Sequence, residues 1–284
     1  MAKPTVLMTN LLAVIGLISL PSSLSGQDSA KTDLIKQGQY VVRAAGGCTC
    51  HQNPNAQEFS LSGGRPIETP FGTIYGTNIT PDPETGIGNF SDEDFVKAMR
   101  EGIGPDGVLY YPVFPFTSFT KMTDEDLLAM KFYLDSLEPV INENKAPEFR
   151  FPYNNRLSLS VWRKLNFVSK RFIPQSNRGD LWNRGAYLSE ALAHCGECHT
   201  PRTFMGKTNE NLYYAGSVDG PEGALAPNIT PHEKTGIGSW SQPDTTWFLQ
   251  WGFKPDGNDA QGLMGEVIEH GYQYLEPEDL EAMA

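Results

Sequence analysis

The chain has 284 residues, enough for one large domain or two of ordinary size, and two is the better expectation because domains cluster near ~100–150 residues. Its 34 Asp and Glu residues outnumber its 22 Lys and Arg residues, and the net charge of -12 argues against nucleic acid as a partner, which needs a basic face. With 28 glycines and 21 prolines the composition is rich in loops, which suggests that a cofactor helps to hold the structure together.

Residues 1–26 have the pattern of a secretory signal sequence. One charge, Lys3, precedes a largely apolar run from Val6 to Leu20, and a proline and small residues follow. The run is shorter than the roughly 17 to 25 residues that a transmembrane helix needs. We therefore expect cleavage near Ser25, in preference to a retained anchor, and a protein that is periplasmic or otherwise exported and meets the membrane through its partners.

Helical patterns dominate the part of the chain that follows. Ser91 is typical of an N-cap, and Thr123 with Asp126 three residues later resembles a capping box, so each predicts a helix. An earlier predicted helix leads into Cys48, with an apolar face made of Leu34, Ile35, Val41 and Val42. No stretch shows convincing alternation of apolar and polar residues over five or more positions, as a half-buried strand would. The predicted fold class is mainly α, with loops rich in glycine and proline between the helices.

Three motifs recur at a spacing of 150 residues. Asn78 to Pro81 recurs as Asn228 to Pro231, Thr85 to Gly88 as Thr235 to Gly238, and Pro105 to Gly107 as Pro255 to Gly257. Agreement over three separated motifs predicts two copies of one domain, at 31–140 and 178–284. The period is too long for a solenoid of short repeats.

The segment 141–177 between the two copies is basic and aromatic. We expect an ordered connector that lies over both domains, with its aromatic side chains buried between them. A separate binding surface is the alternative. The basic and aromatic residues concerned are Phe149, Arg150, Phe151, Tyr153, Arg156, Trp162, Arg163, Lys164, Phe167, Lys170, Arg171 and Phe172.

All four cysteines lie in two short clusters that each end in histidine. The second cluster, Cys195-Gly196-Glu197-Cys198-His199, is the C-x-x-C-H signature of covalent haem attachment. On a helical turn the thiols of Cys195 and Cys198 lie on one side, where they can add to the two vinyl groups of a haem while His199 meets the iron. The motif demands an oxidising export route, which the signal sequence supplies.

Three other chemistries fit this second cluster less well. A disulfide would not need the histidine that follows each cysteine pair. A redox dithiol would need a thioredoxin-like βαβ setting, and zinc would need the two clusters to converge although each lies in its own repeat. Cys195, Cys198 and His199 are therefore predicted to hold a haem.

The first cluster, residues 48–51, is one residue short. Cys48 stands ten positions after Gly38, and Cys195 ten positions after Gly185, whereas His51 stands thirteen and His199 fourteen positions after those glycines. The missing residue therefore lies inside the cysteine pair. Cys48 and Cys50 cannot occupy positions i and i+3 of a helix, so one thioether is expected to be strained or absent.

A haem is nevertheless predicted at the first cluster. Cys48 and Cys50 would attach it and His51 would bind the iron, because this repeat keeps the loops that would enclose a haem. The alternative is that this site has lost its haem.

A second protein ligand would close the other face of each haem and make it a stable electron carrier. Met264 is the predicted ligand in the second copy. The 150-residue offset places Phe114 at the matching position of the first copy, and phenylalanine cannot bind iron. Met122 is the substitute candidate, although a hydrophobic staple against Leu127 is its alternative role. Without Met122 the first haem would be five-coordinate.

With these residues in hand, the chain resembles the multihaem cytochrome c subunits of membrane-bound bacterial dehydrogenases, the family that serves alcohol, gluconate, sorbitol and aldehyde oxidation. Members often carry a methionine where Phe114 stands, or a phenylalanine there with a methionine at the Met122 position, which favours Met122 as the ligand. The resembling segments are 63–66, 69–75, 78–88, 111–116, 121–124, 183–188 and 194–202.

Two features depart from this family's pattern. Its members usually have three such domains, each with a complete attachment motif, whereas this chain has two and the first motif is short. The chain stops at Ala284, within the first turns of a helix predicted to begin after Leu275, so we expect the natural protein to continue.

The expected function is electron transfer by a protein with two covalently bound haems c. Electrons would come from a partner dehydrogenase subunit and pass to a quinone or a terminal oxidase, with no catalysis on an organic substrate by the chain itself. The acidic surface predicts a basic docking patch on the partner. The rivals are a small-molecule redox enzyme, such as a thiosulfate dehydrogenase or a two-haem peroxidase with an open face on the first haem, and a docking domain without redox traffic.

Overall fold

A computed structural model describes residues 1–2 and 24–284, so the predicted signal sequence lies almost entirely outside the described residues. The helices of the described residues are α1 (Leu24–Ala44), α2 (Asp92–Glu101), α3 (Phe116–Phe119), α4 (Asp124–Leu134), α5 (Arg156–Asn166), α6 (Asp180–Tyr187), α7 (Cys195–His199), α8 (Gln242–Trp251), α9 (Gly262–His270) and α10 (Pro277–Met283). Short 3₁₀ segments cover Gly46–His51, Glu210–Leu212, Pro221–Gly223 and Tyr272–Tyr274, and a π-helical turn covers Leu188–Leu192. The mainly α class is confirmed.

A small antiparallel sheet accompanies the helices. Its strands are β1 (Pro66–Thr69), β2 (Gly72–Tyr75) and β3 (Glu148–Phe149), in the order β1-β2-β3. The sequence did not predict it because strands of two to four residues are too short to show an alternating pattern.

Matching side chains begin the matching helices of the two repeats. The Ser91 hydroxyl accepts a hydrogen bond from the backbone N–H of Asp94 at the start of α2, and the Asp94 carboxylate accepts one from the N–H of Ser91. Ser241 and Asp244 form the same capping box at the start of α8. These caps satisfy N–H groups that the first helical turn leaves unpaired. The predicted cap at Thr123 is confirmed, since its side chain accepts from the Asp126 N–H, but the predicted capping box is not completed. The Thr123 N–H donates to the Tyr187 hydroxyl instead, and that hydroxyl donates to the Asp126 carboxylate.

In each repeat an early helix crosses a late helix at a glycine. A Cβ added to Gly38 of α1 would lie 1.9 Å from the carbonyl oxygen of Ala129 in α4. A Cβ added to Gly185 of α6 would lie 1.7 Å from the carbonyl oxygen of Ala282 in α10. Any side chain larger than hydrogen would therefore force these helices apart. Each crossing glycine stands ten positions before the first cysteine of its cluster, so each cluster follows its helix crossing at the same distance along the chain.

One apolar core runs through both repeats. Val41 from α1 and Leu127 from α4 belong to the same buried cluster as Leu188 and Leu280 from the second repeat. The two repeats therefore share buried surface rather than meeting only through polar contacts.

The connector is anchored at both ends of its course. Residues of β3 pair with β2, and Leu159 of α5 is buried. The indole N–H of Trp162 donates to the carbonyl oxygen of Met205, 2.7 Å away. The expectation that the connector's aromatic side chains are buried is wrong for Phe151 and Tyr153, which are 81% and 42% exposed. None of the helices of the described residues combines the length and the apolar character needed to cross a membrane.

Candidate haem sites

The second cysteine cluster forms a helical turn of its own. Helix α7 carries Cys195 and Cys198 at i and i+3, so both thiols lie on the same side, and both are half-buried and free of disulfides. His194 precedes the turn in the left-handed conformation, with φ 42°. This change of backbone direction separates the π-helical turn from α7, so the attachment motif begins a new helix.

The histidine that ends each cluster is held by a backbone carbonyl in the same way. His199 Nδ1 lies 2.7 Å from the carbonyl oxygen of Pro227, and His51 Nδ1 lies 2.8 Å from that of Thr77. A carbonyl oxygen can only accept, so Nδ1 carries the proton in both rings and Nε2 keeps its lone pair free. Metal-binding histidines are oriented by this type of hydrogen bond.

The repeated Asn-Ile-Thr-Pro motif follows these carbonyls and makes their loop rigid. The Asn78 side-chain oxygen accepts from the Thr80 N–H and hydroxyl, and its side-chain nitrogen donates to Thr85. Asn228 makes the same bonds to Thr230 and Thr235. The motif therefore fixes the carbonyl that precedes it and, through that carbonyl, the imidazole.

Burial sets the protonation of the cluster side chains. It lowers the pKa of His51 and of His199, although the carbonyl acceptor works in the opposite direction, so both rings are neutral at neutral pH. Burial also raises the pKa of the Cys48 thiol to about 12 and that of Cys195 to about 11. Neutral imidazoles beside free thiols are a donor set suited to iron and to thioether formation.

The shortened first cluster adopts an unusual backbone. Gly46, Gly47 and Cys48 have φ of 73°, 69° and 55°, all in the left-handed region. Glycine enters this region freely, but a residue with a Cβ does so at a cost of roughly 1–2 kcal/mol. The missing residue is thus accommodated by three left-handed residues in succession, and Cys48 and Cys50 lie two positions apart in an irregular 3₁₀ segment.

Among the predicted distal ligands, Met264 lies in the first turn of α9 and is half-buried. Met122 is fully buried, in the same apolar cluster as Leu127. Its backbone carbonyl accepts a hydrogen bond from Arg100, 3.0 Å away. Phe114 is half-buried, with its ring against Tyr110 and Phe119.

Helix α9, which carries Met264, is supported by the first repeat. It packs against the 3₁₀ segment of the first cluster, where a Cβ on Gly47 would lie 2.6 Å from the carbonyl oxygen of His270. The His270 ring stacks on Phe59 at 4.3 Å between centroids. The Arg65 guanidinium forms ion pairs with Glu266 of α9 and with Glu222, the latter at 2.9 Å.

The second repeat in turn supports the segment that follows Phe114 in the first repeat. Glu197, inside the second cluster, accepts hydrogen bonds from Thr117 at 2.6 Å and Ser118 at 2.9 Å. Its other oxygen pairs with Arg202 at 2.7 Å. Burial disfavours the charge of Glu197, but Arg202 and the two hydroxyls hold its pKa below the usual value. The segments that carry Met264 and Phe114, which we call the distal segments, are therefore each in contact with the cysteine cluster of the other repeat or with residues near it.

Two polar side chains, Tyr214 and Arg100, have buried atoms without partners in the described part of the chain. The Tyr214 hydroxyl and the Nε and Nη1 atoms of Arg100 are buried and have no hydrogen-bond partner among the described residues. Burial raises the pKa of Tyr214 well above its usual value, and the charge of the Cys195 thiolate would raise it further. The propionates of a haem can accept from a free hydroxyl and from free guanidinium N–H groups, and the donor set of the clusters fits the same cofactor. The third nitrogen of Arg100, Nη2, is already bound to the Met122 carbonyl oxygen and to Asp124.

Sequence reasoning missed Thr77, Pro227, Glu197 and Arg65. Thr77 and Pro227, whose carbonyl oxygens accept from the two histidines, stand directly before the repeated asparagines, and this position was a usable signal. Glu197 and Arg65 could not be found, because their partners lie in the other repeat and only the packing of the repeats brings them together.

Comparison with known proteins connects these sites to characterised chains. The chain is 41% identical over 257 residues to the fructose dehydrogenase cytochrome subunit of Gluconobacter japonicus, covering 90% of this chain and 52% of the relative. It is 36% identical over 286 residues to the gluconate 2-dehydrogenase cytochrome c subunit of Pantoea cypripedii, covering 98% and 64%. No family model matches the chain.

A third relative is similar in length. The diheme cytochrome c-type protein of Cereibacter sphaeroides is 39% identical over 252 residues, which cover 87% of this chain and 83% of the relative. The chain spans about half of the fructose dehydrogenase cytochrome subunit and slightly less than two thirds of the gluconate 2-dehydrogenase subunit. Since these relatives share the cytochrome c character and match nearly the whole described chain, the predicted resemblance is confirmed: the chain belongs to the c-type cytochrome family that includes dihaem cytochromes c and the cytochrome c subunits of bacterial dehydrogenases.

Proposed function

We propose that the chain is a dihaem electron-transfer protein that accepts electrons from a dehydrogenase catalytic subunit and passes them to a quinone or a terminal oxidase. As a c-type cytochrome it carries covalently attached haem c. The observation that carries the proposal is the pair of histidines, each tied at Nδ1 to a carbonyl and each following two free cysteines. Bound haem iron supplies reversible one-electron chemistry, and its axial ligands tune the potential.

The residues have distinct roles in this proposal. Cys195 and Cys198 attach the second haem, His199 binds its iron and Met264 is the distal ligand. In the first repeat Cys48 and Cys50 attach the haem, with His51 and Met122 as the ligands. The carbonyls of Thr77 and Pro227 keep the imidazoles oriented.

The domain organisation belongs to the same proposal. Two tandem cytochrome c domains would occupy 31–140 and 178–284, with 141–177 as the connector. The two glycine helix crossings and the two Ser–Asp capping boxes support this division, since each occurs once in each copy. Export to the periplasm follows from the need to attach haem under oxidising conditions.

The partner is proposed from charge and from the relatives. The matched relatives are cytochrome subunits of dehydrogenases, and the net charge of -12 favours a basic docking patch on a catalytic subunit. Binding to that subunit should weaken as salt is raised, because exposed charges are screened over a Debye length of about 10 Å at 0.1 M. Affinity that does not change with salt would contradict electrostatic docking.

A second candidate function is favoured by Phe114. Its ring occupies the position that matches Met264 and packs in an aromatic cluster, so the first haem would have an open face if Met122 does not bind. Such a site would suit a small-molecule redox enzyme of the thiosulfate dehydrogenase or two-haem peroxidase type. Cyanide binding to the wild-type protein at the first haem would favour this candidate.

Met264→Leu tests the proposed electron carrier. Leucine keeps most of the volume but lacks the thioether sulfur, so one haem should lose its methionine–iron absorption band and its potential should fall. The optical spectrum and a redox titration measure both effects, and mass spectrometry counts the covalent haems. Met205→Leu is the control and should leave the band intact; an unchanged spectrum for Met264→Leu would refute the ligand.

A further inference from the structure

The connector has a charge pattern unlike that of the rest of the chain. From Phe149 to Gly179 there are seven Lys and Arg residues and no Asp or Glu, within a chain whose net charge is -12. Such a stretch is a local basic patch on an acidic molecule. Its helix α5 lies near the middle of this stretch.

Helix α5 is held by one face and exposes the other. Leu159 is 5% exposed, and Arg163 donates to the carbonyl oxygen of Glu101. The opposite face carries Leu157, Val161 and Leu165, at i, i+4 and i+8, which are 70%, 50% and 69% exposed. A row of large apolar side chains facing solvent on a well-anchored helix marks an interaction surface.

Neighbouring side chains extend this apolar row. Phe151 precedes α5 and Val168 follows it, and both are exposed. Leu157 and Val161 also line a cleft of about 940 Å³, and Phe204, which is almost fully exposed, is another of its lining residues. We call Phe151, Leu157, Val161, Leu165, Val168 and Phe204 the α5 face.

Exposed cations accompany the α5 face. Arg156, Lys164, Lys170 and Arg171 are exposed, and none of them forms an ion pair with a carboxylate of the described residues. Arg156 and Arg171 instead donate to the carbonyl oxygens of Leu109 and Thr120. Lys170 lies near enough to Glu210 to help lower the pKa of that carboxyl, so the charges of Arg156, Lys164 and Arg171 are the ones most available to an outside anion.

We propose that the α5 face binds the surface of an anionic lipid bilayer. An amphipathic helix with exposed leucine and valine side chains and flanking Lys and Arg inserts its apolar face at the boundary of headgroups and acyl chains. Anionic headgroups attract each nearby Lys or Arg, whereas the acidic remainder of the chain is repelled. The membrane would thus hold the molecule in one orientation, and this inference does not depend on the identity of the electron donor.

A bilayer fits these observations better than the acidic surface of a protein does. The side chains of the α5 face project into solvent and are spread over α5, the segments on either side of it and a loop of the second repeat. A fluid bilayer can accept scattered projecting side chains without a complementary shape, and it offers anions on every side of them.

Vesicle binding of the haem-loaded protein tests the proposal. Binding is measured by co-sedimentation with vesicles of phosphatidylcholine alone and of phosphatidylcholine mixed with phosphatidylglycerol. We expect roughly tenfold or stronger binding to the mixed vesicles, and a decrease as salt is raised. The triple variant Leu157→Ser, Val161→Ser, Leu165→Ser should bind the mixed vesicles at least about tenfold more weakly.

Matched variants separate the apolar and the basic contributions. Lys164→Gln with Lys170→Gln should remove most of the preference for phosphatidylglycerol. Trp247→Ser, which alters a 55% exposed side chain on α8, is the control and should bind as the wild type does. All variants share one N-terminus, checked by mass spectrometry, and an unchanged haem spectrum shows that each has folded.

Three results would overturn the proposal. They are absence of binding by the wild type, equal binding to both kinds of vesicle, and undiminished binding by the triple variant. If the triple variant keeps its vesicle binding but loses association with a dehydrogenase subunit, the α5 face is a protein-docking surface.

Discussion

His51 and His199 are made suitable for iron by a single hydrogen bond each. The carbonyl acceptor dictates the tautomer, and burial keeps the ring neutral. The cysteines before them differ much more, because one pair lies on a helical turn and the other follows two left-handed glycines. The two sites therefore hold their histidines in the same way but present their cysteines on different backbones.

Gly47 is where the first site is most sensitive to substitution. Gly47→Ala places a Cβ at φ 69° and 2.6 Å from the carbonyl oxygen of His270. Gly107→Ala is a matched control, since Gly107 has φ 72° but nothing within 4 Å of the added Cβ. We expect Gly107→Ala to lower the free energy of unfolding by about 1 kcal/mol, and Gly47→Ala by about 1–3 kcal/mol more. Denaturant titration of the haem-loaded proteins measures both; equal losses would show that contact with α9 is loose.

At the scale of elements, Asp279 of α10 joins three helices. Its carboxylate accepts from the Tyr40 hydroxyl of α1 at 2.6 Å and from Arg184 of α6 at 2.6 and 2.8 Å. Burial opposes its charge, yet Arg184 and Tyr40 hold its pKa below the usual value. The last helix of the second repeat is thereby tied to the first helix of the chain.

Asp279→Asn should therefore make the free energy of unfolding depend less on pH in the acidic range. A carboxylate whose pKa is lower in the folded state stabilises the protein above its unfolded pKa, and this contribution is lost as pH falls through the folded pKa. We expect the variant to be about 1 kcal/mol less stable than the wild type at pH 7, with the difference shrinking below about pH 4. Denaturation at both pH values measures it, with exposed Asp106→Asn as the control. A difference that is the same at both pH values would contradict the assignment.

At the scale of the whole molecule, the two repeats brace each other. Helix α9, which carries Met264, packs against the first cysteine cluster. Thr117 and Ser118, which follow Phe114, donate hydrogen bonds to Glu197 of the second cluster. Neither distal segment is held by its own repeat alone. Damage at one site should consequently be felt at the other.

Arg65→Gln tests this mutual support. It removes both ion pairs to Glu222 and Glu266 and leaves two partly buried carboxylates unpaired, so we expect a loss of about 2 kcal/mol in stability. Because Glu266 lies two residues after Met264, the methionine–iron band of the second haem should shift or weaken. Lys207→Gln, which breaks an exposed pair with Glu210 inside the second repeat, should cost less than about 1 kcal/mol and leave the band unchanged. A normal band in Arg65→Gln would show that α9 holds its place without the first repeat.

The amino-acid sequence alone determined the mainly α class, the repeat, the helix caps at Ser91 and Thr123, and the family. These features depend on neighbours a few residues apart or on direct comparison of segments, so local chemistry suffices to predict them. The haem ligands and the division into two domains stay predictions from the sequence.

Only the tertiary structure decided how the parts support one another. Hydrogen bonds from His51 and His199 to backbone carbonyls, and the ion pair of Arg65 with Glu266, join residues that are far apart in the chain. The exposure of Leu157 and its neighbours likewise depends on which distant segments pack near them. Side-chain pattern states that a face is apolar but not what covers it, because burial is a property of the packed molecule. For this reason the connector, whose aromatic side chains were expected to be buried between the repeats, exposes two of them and carries an open aliphatic face.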